Sequence, residues 1–300
     1  MRGWPWDRPI LVRELRAKAR EGRLFAAFGA YVALVALLTA GAVGWVNVKF
    51  GPLSPGRAPE EARLALLLAA FGPGVLVALF LAPVLGAVTV ARERERGTFD
   101  LLVLAGLSGW AVVLDGALAA WAVCNLFLLA SLPASMVLCF WGLLSPWEAV
   151  APALALSAAS LSYAAFGVLA STLFSRPLWA VLFSLTFPLV VNGWETSKAV
   201  LMAGTFQLST LIANLGAISA IGAMVSAPRW EDLFGHKAPL IVPSVAFSLL
   251  SLALFSSLAA NALRREFGPA RWATRVTVPL WFVGVGLCLL YTSPSPRDRG

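Results

Sequence analysis

Few side chains in this chain are equipped for chemistry. It has one histidine, His236, and three cysteines among 300 residues. His236 follows Glu231 and Asp232 in PRWEDLFGHK, the single stretch that gathers groups able to hold a metal or move protons. The spacing matches no zinc-ligand pattern, and a solvated loop accounts for it. Cys124 and Cys139 fall on one expected helix, about 22 Å apart at 1.5 Å per residue, beyond disulfide reach. The phosphate-binding pattern G-x-x-x-x-G-K-[ST] does not occur, so the chain supplies no ATP site by that route. No metal or cofactor is expected on the chain itself. Two features remain: Asp115, the one acid clearly inside an apolar segment, and the charged run in ARERERGTFDLL, Ala91 to Leu102.

The elements that position these residues are membrane helices. Hydrophobic residues make up 59% of the chain, charged residues 13%, and the mean hydropathy is +0.82. Soluble chains carry about 45–50% apolar and about 25% charged residues, so the composition is that of a polytopic membrane protein. The net charge of +8 does not indicate nucleic acid, because the basic residues flank the apolar segments instead of forming one patch. The expected fold is an all-α bundle of six spans, near Leu24–Val46, Leu64–Val90, Trp110–Phe140, Glu148–Phe174, Leu178–Val191 and Pro239–Leu263. The third runs long, and tilt or a break near Pro133 would absorb the excess. Ala199–Ala227 is apolar enough to span, but a re-entrant or extracellular pair of short helices keeps the later arginines on one side. Gly51–Glu61 is expected to be an extracellular loop. Residues 1–23 are read as a cytoplasmic interfacial segment, 24–263 as the membrane domain, and 264–287 as a cytoplasmic stretch entering a further span.

Arginine and lysine set the orientation. The N-terminal segment to Arg23 carries seven, residues 91–109 three, the Ser175–Pro177 turn one and residues 264–275 four, against six on the opposite side. The positive-inside bias places the N-terminus in the cytoplasm. Tryptophans 45, 110, 141, 147, 179 and 194 fall at expected span ends, as an interfacial belt requires. In the N-terminal segment, Leu11, Val12, Leu15 and Ala19 share one arc with Arg13, Arg16 and Arg20 alongside, the pattern of an interfacial helix.

The charged run then lies in a cytoplasmic connection between the second and third spans. Arg92, Glu93, Arg94, Glu95 and Arg96 extend the second helix into water, with pairs on neighbouring turns supporting one another. Gly97 is placed to end that helix in left-handed geometry. Thr98 can cap a new short helix, with Asp100 in its first turn and Phe99, Leu101, Leu102 and Leu104 on it. Gly106 and Ser108 allow a stop and a restart into the third span. A loop that only sets topology and a helix that docks on lipid or protein both fit these residues.

RERERGTFDLLVLAGLS, Arg92 to Ser108, resembles the signature of type-2 ATP-binding-cassette (ABC) permeases, in which an E-x-E-x-G-T run leads into a Leu-rich coupling helix. RPILVRELRAKAR, Arg8 to Arg20, is similar to that family's opening segment, with Arg8 where many relatives have Asn. The resemblance covers nearly all of residues 1–263. It implies an exporter-type permease subunit of a bacterial cytoplasmic (inner) membrane, paired with a second permease copy or homologue in the bilayer. It further implies that ATP and magnesium sit on a partner ATPase subunit. Glu93 and Glu95 would face basic groups of that subunit, and Phe99, Leu101 and Leu102 would fill a groove on it.

Two other classes compete. An ion-gradient-driven transporter would use an ionisable group at membrane depth, for which Asp115 is the candidate. A membrane-embedded enzyme would have to rest on the Glu231, Asp232, His236 cluster. Ser157, Ser160, Ala164, Gly167 and Ser171 recur along the fourth span, where they permit close helix packing and could also line a pore or a dimer interface. The tail from Cys288 to Gly300 resembles translated sequencing adapter, and the native chain is expected to continue beyond Leu287.

Overall fold

The structure is a computed structural model that describes residues 11–13, 15–16, 20, 22–51, 59–98, 104, 108–174, 176–189, 230–233, 236–239 and 241–263. Phe99–Leu102, Ala199–Ala227 and the Cys288–Gly300 tail lie outside the described residues. Residues 11–13 and 15–16 are helical, as the amphipathic N-terminal pattern suggests. The main elements are α1 (Gly22–Phe50), α2 (Glu60–Leu76), a π-helical turn (Val77–Leu81), α3 (Ala82–Glu95), α4 (Gly109–Phe140), α5 (Pro146–Leu173), α6 (Pro177–Ser184) and α7 (Ile241–Ala262). Helix dominates because a bilayer offers the backbone no other donors or acceptors. A short antiparallel ladder, β1 (Trp230–Leu233) with β2 (His236–Pro239), carries Glu231, Asp232 and His236.

Among the described residues, four helices are long and apolar enough to cross a membrane: Gly22–Phe50, Glu61–Glu95, Gly109–Phe140 and Ala149–Leu173. The described apolar parts of the fifth and sixth expected spans, Pro177–Leu189 and Ser248–Ala262, are shorter. The second span is longer than expected, because α2, the π turn and α3 run on as one helix to the charged residues. Pro83 accounts for the π turn. In a regular helix its ring would clash with the carbonyl four residues back and leave that carbonyl without a donor. Just before it, Ala82 donates to Val77, five residues back, which widens the helix locally. Pro133 causes no comparable break, and α4 runs through it uninterrupted for 32 residues.

The bundle is organised around α5. The small residues expected on that helix meet α3: a Cβ on Gly167 would lie 2.2 Å from the Pro83 carbonyl oxygen, and one on Gly86 would lie 2.2 Å from that of Ala164. The two backbones therefore touch through reciprocal glycines, and Ser160, Ala164 and Ser171 are fully buried in packing within this chain. Their hydroxyls are satisfied locally, Ser160 on the Ser157 carbonyl at 2.8 Å and Ser171 on that of Val168 at 2.6 Å. One apolar cluster joins the end of α1, the start of α2 and the end of α4 through Val46, Leu66, Phe71, Leu138 and Leu156. A second lies toward the opposite end, through Val90, Val113, Val168, Phe255 and Leu263. Phe166 of α5 ties this second cluster to α6 and α7, with Phe183 and Phe255 at ring-centroid distances of 5.6 and 5.0 Å.

Candidate functional site

The charged end of α3 is the best-defined polar site in the described residues. Gly97 sits at φ +69°, its N–H donates to the Arg94 carbonyl, and the Thr98 N–H donates to that of Glu93. These two bonds close a Schellman motif, which needs a left-handed residue at the position glycine occupies. The helix thus stops where the sequence pattern places its end, and the preceding five charges stand on its last turn and a half.

Helical geometry divides those charges. At about 100° per residue, Glu95, Arg92 and Arg96 fall within one arc of about 100°, and Glu93 and Arg94 fall outside it. Arg92, Glu95 and Arg96 are exposed, whereas Glu93 and Arg94 are half-buried. Arg13 Nη2 donates to Glu93 Oε1 at 2.8 Å, and the Thr98 hydroxyl donates to the other carboxylate oxygen. Glu93 is 16% exposed at its side chain and Arg13 is 52% exposed. Glu93 is therefore engaged inside the chain and Glu95 is the carboxylate open to a partner. Arg94 reaches across to α5 and donates from Nη1 to the Thr172 carbonyl at 3.1 Å. That carbonyl belongs to the last turn of α5, where no intrahelical donor remains and a cation suits the helix dipole.

The cluster thus connects the N-terminal segment, the end of α3 and the end of α5. Beyond it, Leu104 is helical and 81% exposed. Ser108 then caps α4, accepting from the Ala111 N–H at 3.2 Å. Sequence reasoning placed Arg13 and Glu93 separately on their helices. Nothing in the sequence joins two positions 80 residues apart, and nothing marks Arg94 as the cap of a helix that ends near residue 173.

Asp115 lies in α4, 3% exposed, and interacts with another group of the chain. At the opposite end of the bundle Lys49 donates to Glu61 Oε2 at 2.6 Å, and its ammonium lies 5.0 Å from the ring centroid of Trp45. This pair clasps α1 to α2 beside the expected extracellular loop. Cys124 and Cys139 are not joined in a disulfide, and the Cys139 thiol donates to the Ser145 carbonyl at 3.5 Å. Among the described residues, no group of three His, Cys, Asp or Glu side chains could hold a metal ion. Comparison with protein families, with curated proteins and with solved structures returned no match to this chain.

Proposed function

We propose that this chain is the membrane-spanning permease subunit of an ATP-driven exporter, with hydrolysis supplied by a separate ATPase chain that docks on residues 92–108. The observation that carries the proposal is the bracing of the α3 end: Arg94 on the Thr172 carbonyl and Glu93 on Arg13. A force on the segment after Gly97 would reach α3, α5 and the N-terminal segment together, the arrangement needed to switch access by rigid-body motion of spans. Arg92, Glu95, Arg96 and Leu104 offer that partner two charge signs and an apolar contact. In this reading α6 with its continuation and α7 complete six spans. α7 has 22 residues, about 33 Å at 1.5 Å per residue, against a hydrocarbon core of about 30 Å. The N-terminus and the charged run lie in the cytoplasm of a bacterial inner membrane, a second permease copy completes the pore, and ATP and magnesium are held by the partner.

The test is co-purification of the chain from its native membranes with a protein carrying G-x-x-x-x-G-K-[ST], followed by measurement of ATP hydrolysis and transport. Glu95→Lys is expected to release the ATPase or uncouple it while membrane insertion is unchanged. Wild-type ATP-dependent transport by that variant, or capture of no ATPase by the wild-type chain, would remove the proposal.

A further inference from the structure

A groove of about 460 Å³ opens on the flank of the bundle between α1 and the π turn. Tyr31 and Leu34 of α1 line one wall, and Leu76, Phe80, Leu81 and Val84 line the other. Leu34, Leu76 and Phe80 are 45%, 56% and 44% exposed, so the groove is open on the face that meets lipid. Its one polar side chain is already satisfied, because the Tyr31 and Ser131 hydroxyls share a hydrogen bond at 2.8 Å. An occupant therefore needs only aliphatic surface there.

Charge identifies the rest of the occupant. Leu34 to Arg23 on α1 and Leu81 to Arg92 on α3 are each a step of eleven residues. Eleven residues are about three helical turns, so each arginine lies within about 20° of the groove residue above it and about 16 Å along the axis. Leu24 and Phe28 at the start of α1 pack in one cluster with Leu81 and Leu85, which puts both arginines at the same end of the bundle. Arg23 and Arg92 are exposed, as are Arg20 and Arg96, and Glu95 is the one described acid exposed on that end of α3. Half of a hydrocarbon core is about 15 Å, so a groove at the midplane puts both arginines at headgroup level. That axial distance matches one phospholipid, with its chain in the groove and its phosphate at the level of the two arginines.

We propose that this groove is a binding site for one acyl chain of an anionic phospholipid of the leaflet on the arginine side, held by Arg23 and Arg92. The site does not depend on an ATPase partner.

Photolabelling of the full chain in phosphatidylcholine nanodiscs tests it. Trace phosphatidylglycerol or phosphatidylcholine carries a diazirine near the end of one acyl chain, and adducts are located by mass spectrometry. The phosphatidylglycerol probe is expected to label the Leu76–Val84 peptide about 25-fold above the phosphatidylcholine probe, about fivefold for each of the two arginines near the surface. Arg23→Gln and Arg92→Gln should each lower that ratio about fivefold. Leu34→Trp should remove the groove adducts while those at Leu37, 72% exposed on the same helix, persist. Circular dichroism of each variant checks that it is folded. Equal labelling by both probes, groove adducts that survive Leu34→Trp in folded protein, or protection of the groove from both probes by a second copy of the chain would each overturn the assignment.

Discussion

Replacing Gly86 with alanine places a Cβ 2.2 Å from the Ala164 carbonyl oxygen, where real Cβ contacts stay beyond 3.0 Å. The crossing of α3 and α5 must therefore open by about 0.8 Å, because the obstacle is backbone and cannot rotate away. A gap of about 0.5–1 Å forfeits a quarter to a half of each van der Waals contact. An interface with as many contacts as one or two buried leucines, about 50–100 atom pairs at about 0.1–0.2 kcal/mol, then loses between about 1 and 10 kcal/mol. Overpacking of a close contact costs about 1–3 kcal/mol, which puts the expected loss at the low end of that range. Gly167→Ala meets the Pro83 carbonyl oxygen at the same 2.2 Å and should cost a similar amount. Because both changes open one crossing, the double variant should cost clearly less than the sum. Gly41→Ala on α1, whose Cβ would meet nothing within 4 Å, should be neutral or stabilising by up to about 1 kcal/mol. Steric-trap unfolding of the purified chain in bicelles measures all four. Wild-type stability in both crossing variants, or full additivity in the double, would refute the close backbone contact. The same opening carried to the charged end would stretch the Arg94–Thr172 bond from 3.1 Å to about 3.9 Å. Any transport by the chain should then fall with stability, whatever its cargo.

Gly97→Ala forces a Cβ into φ +69° and should cost about 1 kcal/mol, read by the same unfolding assay, with faster hydrogen exchange in the last turn of α3. Tyr31→Phe and Ser131→Ala each leave one hydroxyl of a buried pair unmatched, and each should cost about 0.6–1.7 kcal/mol. The double variant should lose less than the two together, and a double-mutant cycle with no coupling would contradict the bond. Asp115→Asn keeps the shape of a buried side chain and removes its charge. Under the ATP-driven reading, transport should survive with unchanged dependence on the membrane potential. Loss of uphill transport in the absence of ATP would favour an ion-coupled mechanism instead.

The first four expected spans were legible because hydropathy and length dictate them: each coincides with a helix long and apolar enough to cross a membrane, and the start of α1 at Gly22 and the end of α4 at Phe140 lie within two residues of their expected positions. Gly97 and Ser108 were legible for a different reason, since left-handed geometry and side-chain capping are local demands that one residue type meets. The π turn was not, because its cause is a clash between Pro83 and a carbonyl one turn earlier, and Pro73 in the same helix produces no π turn. Nor was the α3–α5 crossing. Gly86 and Gly167 read in sequence only as small residues in apolar helices, and their pairing depends on which faces meet. Arg94 capping α5 belongs to the same class, because a cation near a helix end is visible but the helix it serves is not.

The order of the charged run has a structural reason beyond its composition. RERER and ERERE would look alike as alternating, self-supporting helix pairs. On this helix they are not equivalent. The residue at 94 faces the Thr172 carbonyl at the C-terminus of α5, so a glutamate there would set acceptor against acceptor at the negative end of a helix. The residue at 93 faces both Arg13 and the Thr98 hydroxyl, so an arginine there would meet a like charge and a group that already donates. Positions 93 and 94 are thus constrained in sign by partners within the chain. Among the described residues, positions 92, 95 and 96 show no such partner, and their exposed charges face whatever approaches the end of α3 from outside.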